Sequence, residues 1–164
     1  MFERWLPRIG FLVRIGAAAV WLVAGAAKAV DLAQFHDQVD QYKLLPGSLE
    51  APFAYALPFV EIFVGIYLLL GLLTRVAAIA GTVLLVLFIA AQAQAWARGL
   101  VLDCGCFGTL SEDKVGFWTI TRDIGLGIPS ILLVFFPARY LSLDQLLLGL
   151  PDRFRLQTPS AVSN

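Results

Sequence analysis

Two cysteines, Cys104 and Cys106, stand one residue apart in Asp103-Cys104-Gly105-Cys106-Phe107-Gly108, and they are the only two in 164 residues. Thiols at this spacing have three uses. They close a disulfide on each other, pair with thiols of a partner, or bind a soft metal as thiolates. A bend at residues i to i+2 brings two Cα atoms into the range a disulfide tolerates. Strain in so small a ring favours an oxidising, easily reduced bond. Gly105 supports the bend, because glycine turns freely in either direction. Asp103 is the charge next to Cys104 in sequence and is expected to raise that thiol's pKa. A metal site is disfavoured, since His36 is the single histidine and lies far away in the chain. A structural disulfide pinning an extracytoplasmic loop is the plainer alternative to a redox pair.

The elements that position this loop are apolar. Hydrophobic residues make up 59% of the chain and charged residues 15%, well under the usual quarter, and mean hydropathy is +0.80. Net charge is zero, with no basic stripe, so nucleic acid is excluded as a partner. The pattern predicts an all-α integral membrane four-helix bundle, with spans at about 9–30, 51–74, 76–97 and 115–138, and the C-x-C loop between the third and fourth. Residues 1–140 form this domain, and 141–164 a partly disordered tail with a short amphipathic piece at 141–150.

In the first span, Arg14, Trp21, Gly25 and Lys28 share a helical face that points into the bundle. Its basic start and Ala24-Gly25-Ala26 also suit a cleavable signal, but three further spans follow. Residues 31–43 fit a short interfacial helix in which His36 is an exposed polar residue. Gln92 and Gln94, near the end of the third span, read as packing residues, with a polar pocket lining as the alternative. Ser111 is a candidate cap for the fourth helix.

Seven basic residues against three acids fall on the side of the termini. The positive-inside rule therefore places the termini in the cytoplasm of an inner (plasma) membrane protein, with both long loops in the periplasm, where disulfides persist. Lys28, Glu61, Arg122 and Asp123 then lie in the outer half of the bundle beneath the C-x-C loop, and their charges sum to zero. Intramembrane charges must pair or meet water. This cluster either fixes helix register by salt bridges or forms a polar pocket for a quinone headgroup, released protons or a docking partner.

Trp21-x3-Gly25-x2-Lys28-x2-Asp31, Tyr42-x3-Pro46, Pro58-x2-Glu61, Cys104-Gly105-Cys106-Phe107-Gly108 and Arg122-Asp123 resemble the MauE family of methylamine-utilisation membrane proteins. That family is similar in turn to the broader DoxX-like four-helix proteins. The resemblance covers about residues 10–138, and Cys-Gly-Cys-Phe-Gly is its most specific part. It implies a membrane protein linked to maturation of periplasmic enzymes. In the namesake system that client is the disulfide-rich small subunit of methylamine dehydrogenase, with a periplasmic thioredoxin-like protein as partner.

Two functions follow. In one, Cys104 and Cys106 cycle between dithiol and disulfide and exchange with the thioredoxin-like partner through a mixed disulfide. With one cysteine pair the chain cannot carry electrons across the membrane by thiols alone, and a quinone would close that gap. In the other, the chain is a non-enzymatic scaffold docking a client envelope enzyme, and the C-x-C is a staple. A transporter is disfavoured by four short spans without an evident internal repeat. Membrane lipid surrounds the chain in every reading.

Overall fold

The computed structural model describes residues 6–107 and 113–136. The proposed Ser111 cap, Gly108 of the cysteine signature and the amphipathic piece at 141–150 lie outside these residues. The described chain is helical: α1 (Leu6–Val30), α2 (Leu32–Tyr42), α3 (Gly47–Leu70), α4 (Thr74–Ala97) and α5 (Phe117–Phe135). All but α2 are long and apolar enough to cross a membrane. The expected bundle is therefore present, with α2 as a short helix connecting α1 to α3.

Each boundary has a local cause. Asp31 caps α2 by accepting a hydrogen bond from the Gln34 amide at 2.9 Å. Gly71 ends α3 in the left-handed region (φ 68°), where its amide bonds back to Leu68 and Tyr67 carbonyls. α3 therefore ends four residues earlier than the span expected from hydropathy, and α4 begins two residues earlier. Gly116 precedes α5, and the Thr119 hydroxyl accepts from its amide at 2.9 Å.

Polarity is inverted relative to a water-soluble bundle. Phe63, Val76, Val86 and Leu87 face outward, while Arg14, Lys28, Glu61, Gln92, Asp123 and Ser130 are buried. α1 packs chiefly against α3 and α5, and α5 against α4. The α1–α3 contact depends on close backbone approach, since a Cβ at Gly25 would stand 2.8 Å from the Pro58 carbonyl oxygen. Deeper in the bundle the Trp21 indole donates to Ser130 Oγ at 3.0 Å, tying α1 to α5.

Both long connections lie at one end of the bundle. Tyr42, the last residue of α2, donates its hydroxyl to the Cys104 carbonyl at 3.1 Å, and Arg98 at the end of α4 donates to the Tyr42 carbonyl at 3.0 Å. An antiparallel bridge between Asp103 and Lys114 closes the C-x-C loop at its base. Trp96, Phe117 and Trp118 project outward around this same end.

Candidate functional site

The two sulfurs stand 2.7 Å apart, and both cysteines are free thiols. Gly105 makes this approach geometrically available. It sits at φ +70°, in the left-handed region, and folds the chain between its neighbours. A Cβ there would come within 3.1 Å of Gln38 Oε1 on α2. Cys104 is buried; Cys106 is partly exposed as a whole residue, and the sulfurs of both lie against buried Asp123.

The carboxylate that faces these thiols is Asp123, not Asp103. Asp103 instead pairs with Lys114 at 2.7 Å across the loop bridge. Asp123, buried on α5, accepts from the Cys106 thiol at 2.8 Å through Oδ2. The same oxygen accepts from Gln92 Nε2 at 2.7 Å, and that amide nitrogen also lies 3.1 Å from the Cys106 sulfur. Arg122 holds the other oxygen of Asp123 at 3.1 Å, pairs with Asp113, and brings its second terminal nitrogen to 3.7 Å from the Cys104 sulfur. Its guanidinium also lies over the Phe107 ring.

Cys106 carries one proton and has two acceptors in reach, Asp123 Oδ2 and the Cys104 sulfur. The adjacent Cys106 thiol therefore holds the Cys104 pKa below the ordinary thiol value, against burial and the Asp123 charge, with Arg122 assisting. The same interaction, burial and Asp123 push Cys106 well above that value. Of the two, Cys104 is the sulfur that carries negative charge more readily. The expected elevation of Cys104 by Asp103 is thus overturned, because Lys114 occupies Asp103.

The four charges named from sequence form two pairs. Lys28 bonds both Glu61 oxygens at 2.8 and 2.9 Å, with both side chains fully buried. Its third proton goes to the Cys106 carbonyl at 2.6 Å, so this pair anchors the loop to α1 and α3. The rings of Phe35 and Phe88 flank the ammonium. Arg122 and Asp123 form the second pair, beside the sulfurs. A cavity of about 40 Å³ lies between Glu61, Asp123 and Cys106. His36 stacks on Tyr55, its ring centroid 5.9 Å from that of the tyrosine, and takes no part in the site.

Gln38 is the site residue that sequence reasoning misses; Gln92 reads there as packing with a pocket lining as the alternative, and Tyr42 enters only through the family motif. Gln92 is a buried contact of both Cys106 and Asp123, whereas Gln94 faces outward. Burial and neighbouring negative charge push the Tyr42 pKa up, so its hydroxyl stays protonated and keeps donating to the loop.

Sulfurs and carboxylate lie within 4.8 Å of one another, a donor set with metal-binding chemistry. The sulfur separation argues for another use. Two thiolates on one tetrahedral zinc, at about 2.3 Å each, stand roughly 3.8 Å apart. At 2.7 Å the pair is set for bonding to itself.

Residues 6–136 match the family model described as methylamine utilisation protein MauE. The chain belongs to the MauE family. The MauE protein of Methylophilus methylotrophus is 33% identical over 133 residues, covering 80% of this chain and 70% of the relative. Those of Paracoccus denitrificans and Methylorubrum extorquens are 31% and 32% identical, over 73% and 74% of this chain and 65% and 67% of theirs. No solved structure matches the chain. The region matched to the MauE family ends with α5, so it contains every residue of the site just described.

Proposed function

We propose that this MauE-family membrane protein is a thiol–disulfide redox protein of the inner membrane. Cys104 and Cys106 exchange with a periplasmic thioredoxin-like partner during maturation of envelope proteins. The observation that carries this reading is the pair of free sulfurs 2.7 Å apart beside a buried carboxylate. The names of the relatives place MauE proteins in methylamine utilisation, and the client of this chain is proposed to be an envelope enzyme of comparable disulfide demand. The excess of basic residues on the side of the termini supports a periplasmic face for the loop.

The two cysteines divide the labour. In the oxidised state a partner thiolate attacks Cys106, the partly exposed residue of the pair, forming a mixed disulfide and releasing Cys104 as thiolate. A low-pKa sulfur leaves faster, and Arg122 stands near Cys104 to receive the charge. The partner's second thiol then attacks the mixed disulfide, and Cys106 leaves and takes up a proton. Two electrons have passed from partner to chain. Cys106 takes the proton of the partner's second thiol. Cys104 takes one from solvent, matching the proton the partner lost on becoming a thiolate, to complete the dithiol.

The test is the thiol state in intact membranes, read by alkylation mass shift across graded redox buffers, together with trapping in Cys104→Ser. A midpoint near that of envelope oxidoreductases and a mixed disulfide on Cys106 support the reading. A bond that resists all but harsh reduction, with nothing trapped, would leave a structural staple.

A further inference from the structure

A second, larger cavity of about 350 Å³ opens beside the sulfurs, between α2, α3 and α4. That volume lies at the lower end of the range for small-molecule sites. Its walls are apolar, with Phe35, Leu57 and Phe88 within, and Cys104, Gly105 and Cys106 close its inner end. Phe53 on α3 and Leu87 on α4, both turned to the hydrocarbon side, also line it, so its mouth faces lipid. Tyr42 lines the apolar space with its hydroxyl committed to the loop carbonyls, and so do two amides, Gln38 and Gln92, each more than nine-tenths buried. The Oε1 atom of each lacks a hydrogen-bond partner among the described residues. A buried amide oxygen without a donor is costly and marks a place where a ligand donor would bind.

We infer that this cavity binds a lipid-soluble quinone, which reoxidises the Cys104–Cys106 dithiol and leaves as quinol. The inference rests on the redox reading above and supplies its missing electron acceptor, since the chain holds no further cysteine. The balance closes. Two S–H bonds break, the S–S bond forms, and two electrons and two protons reach the quinone oxygens. The product carries two O–H donors, and the cavity offers two unpartnered amide oxygens. A quinone has acceptors only, so the site favours the quinol and with it the direction of transfer. The site differs from the charge cluster: Lys28 and Glu61 are consumed by each other and by the loop carbonyl.

The test uses the full chain in detergent or nanodiscs with decylubiquinone and a short-chain menaquinone, both without a free ring position for thiol addition. Binding is read by equilibrium dialysis, and reduction by the fall in quinone absorbance on mixing with the dithiol protein. Binding of either quinone, one quinol formed per disulfide, and quinol binding several-fold tighter than quinone are expected. Ala91→Phe fills the cavity and should weaken binding more than tenfold while leaving the thiol midpoint and partner exchange intact. Leu87→Trp, at the mouth, serves if Ala91→Phe fails to fold. Gln38→Leu should abolish most of the quinol preference. Neither quinone binding, or co-purified phospholipid holding the cavity at every quinone concentration, would overturn the inference while partner exchange persists. The Cys104→Ser/Cys106→Ser double variant separates the two proposals, because it should still bind quinone. Binding with intact thiols that never reduce bound quinone would also overturn it.

Discussion

The Lys28 ammonium lies 2.6 Å from the Cys106 carbonyl oxygen while bonded to both oxygens of Glu61. One buried cation therefore joins two spanning helices and the C-x-C loop, and all three of its protons are committed. The position of Cys106 depends on an ion pair that never touches its sulfur.

Lys28→Met leaves Glu61 buried without its partner and should cost about 3–5 kcal/mol. Lys28→Met with Glu61→Leu should recover most of that stability in detergent unfolding. The double variant still lacks the loop anchor, so its thiol midpoint should remain displaced from that of the wild type. Recovery of both together would show that the pair serves stability alone.

Alkylation of the two thiols across a pH series should separate them. Half-maximal reactivity of Cys104 should fall below that of an ordinary thiol, and that of Cys106 above it. In Cys106→Ala the neighbouring S–H donor is gone, and Cys104 should move upward. Asp123→Asn removes a negative charge that disfavours both thiolates, so both profiles should shift to lower pH.

Gly105→Ala places a Cβ in the left-handed region, at a cost of roughly 1–2 kcal/mol, and 3.1 Å from Gln38 Oε1. The loop should then hold its sulfurs farther apart. Disulfide formation in a fixed redox buffer should slow severalfold while helix content by circular dichroism stays unchanged.

Gly25→Ala and Gly125→Ala form a contrasting pair. At Gly25 the added carbon meets the Pro58 carbonyl at 2.8 Å, and at Gly125 it meets nothing within 4 Å. Detergent unfolding should show a loss of about 1–3 kcal/mol for the first and near neutrality for the second.

The frame of this site is legible in the sequence because charge and hydropathy act over whole helices. Arg14, Trp21, Gly25 and Lys28 fall on one face by period alone, and all are drawn into the bundle. Proximity along the chain misled where the loop was concerned. Asp103 adjoins Cys104 yet is drawn off by Lys114, eleven residues on, through a bridge no local pattern announces. Asp123 reaches the sulfurs from a different helix. Gln92 stays ambiguous for a related reason: an uncharged amide near the end of a long apolar span carries no periodic signal that separates packing from a pocket lining. Gln38 sits on α2, whose amphipathic pattern describes its exposed face and says nothing of what its other face covers.

Trp96, Phe117 and Trp118 ring the end of the bundle that carries the C-x-C loop. Indole rings settle at the headgroup layer, so this collar fixes the depth of the sulfurs at the boundary between water and hydrocarbon. A nitroxide on a lipid headgroup should then relax probes attached to Cys106 more strongly than one carried midway down an acyl chain. That level is within reach of both proposed exchange partners, a soluble protein arriving in three dimensions and a lipid-soluble carrier diffusing in two.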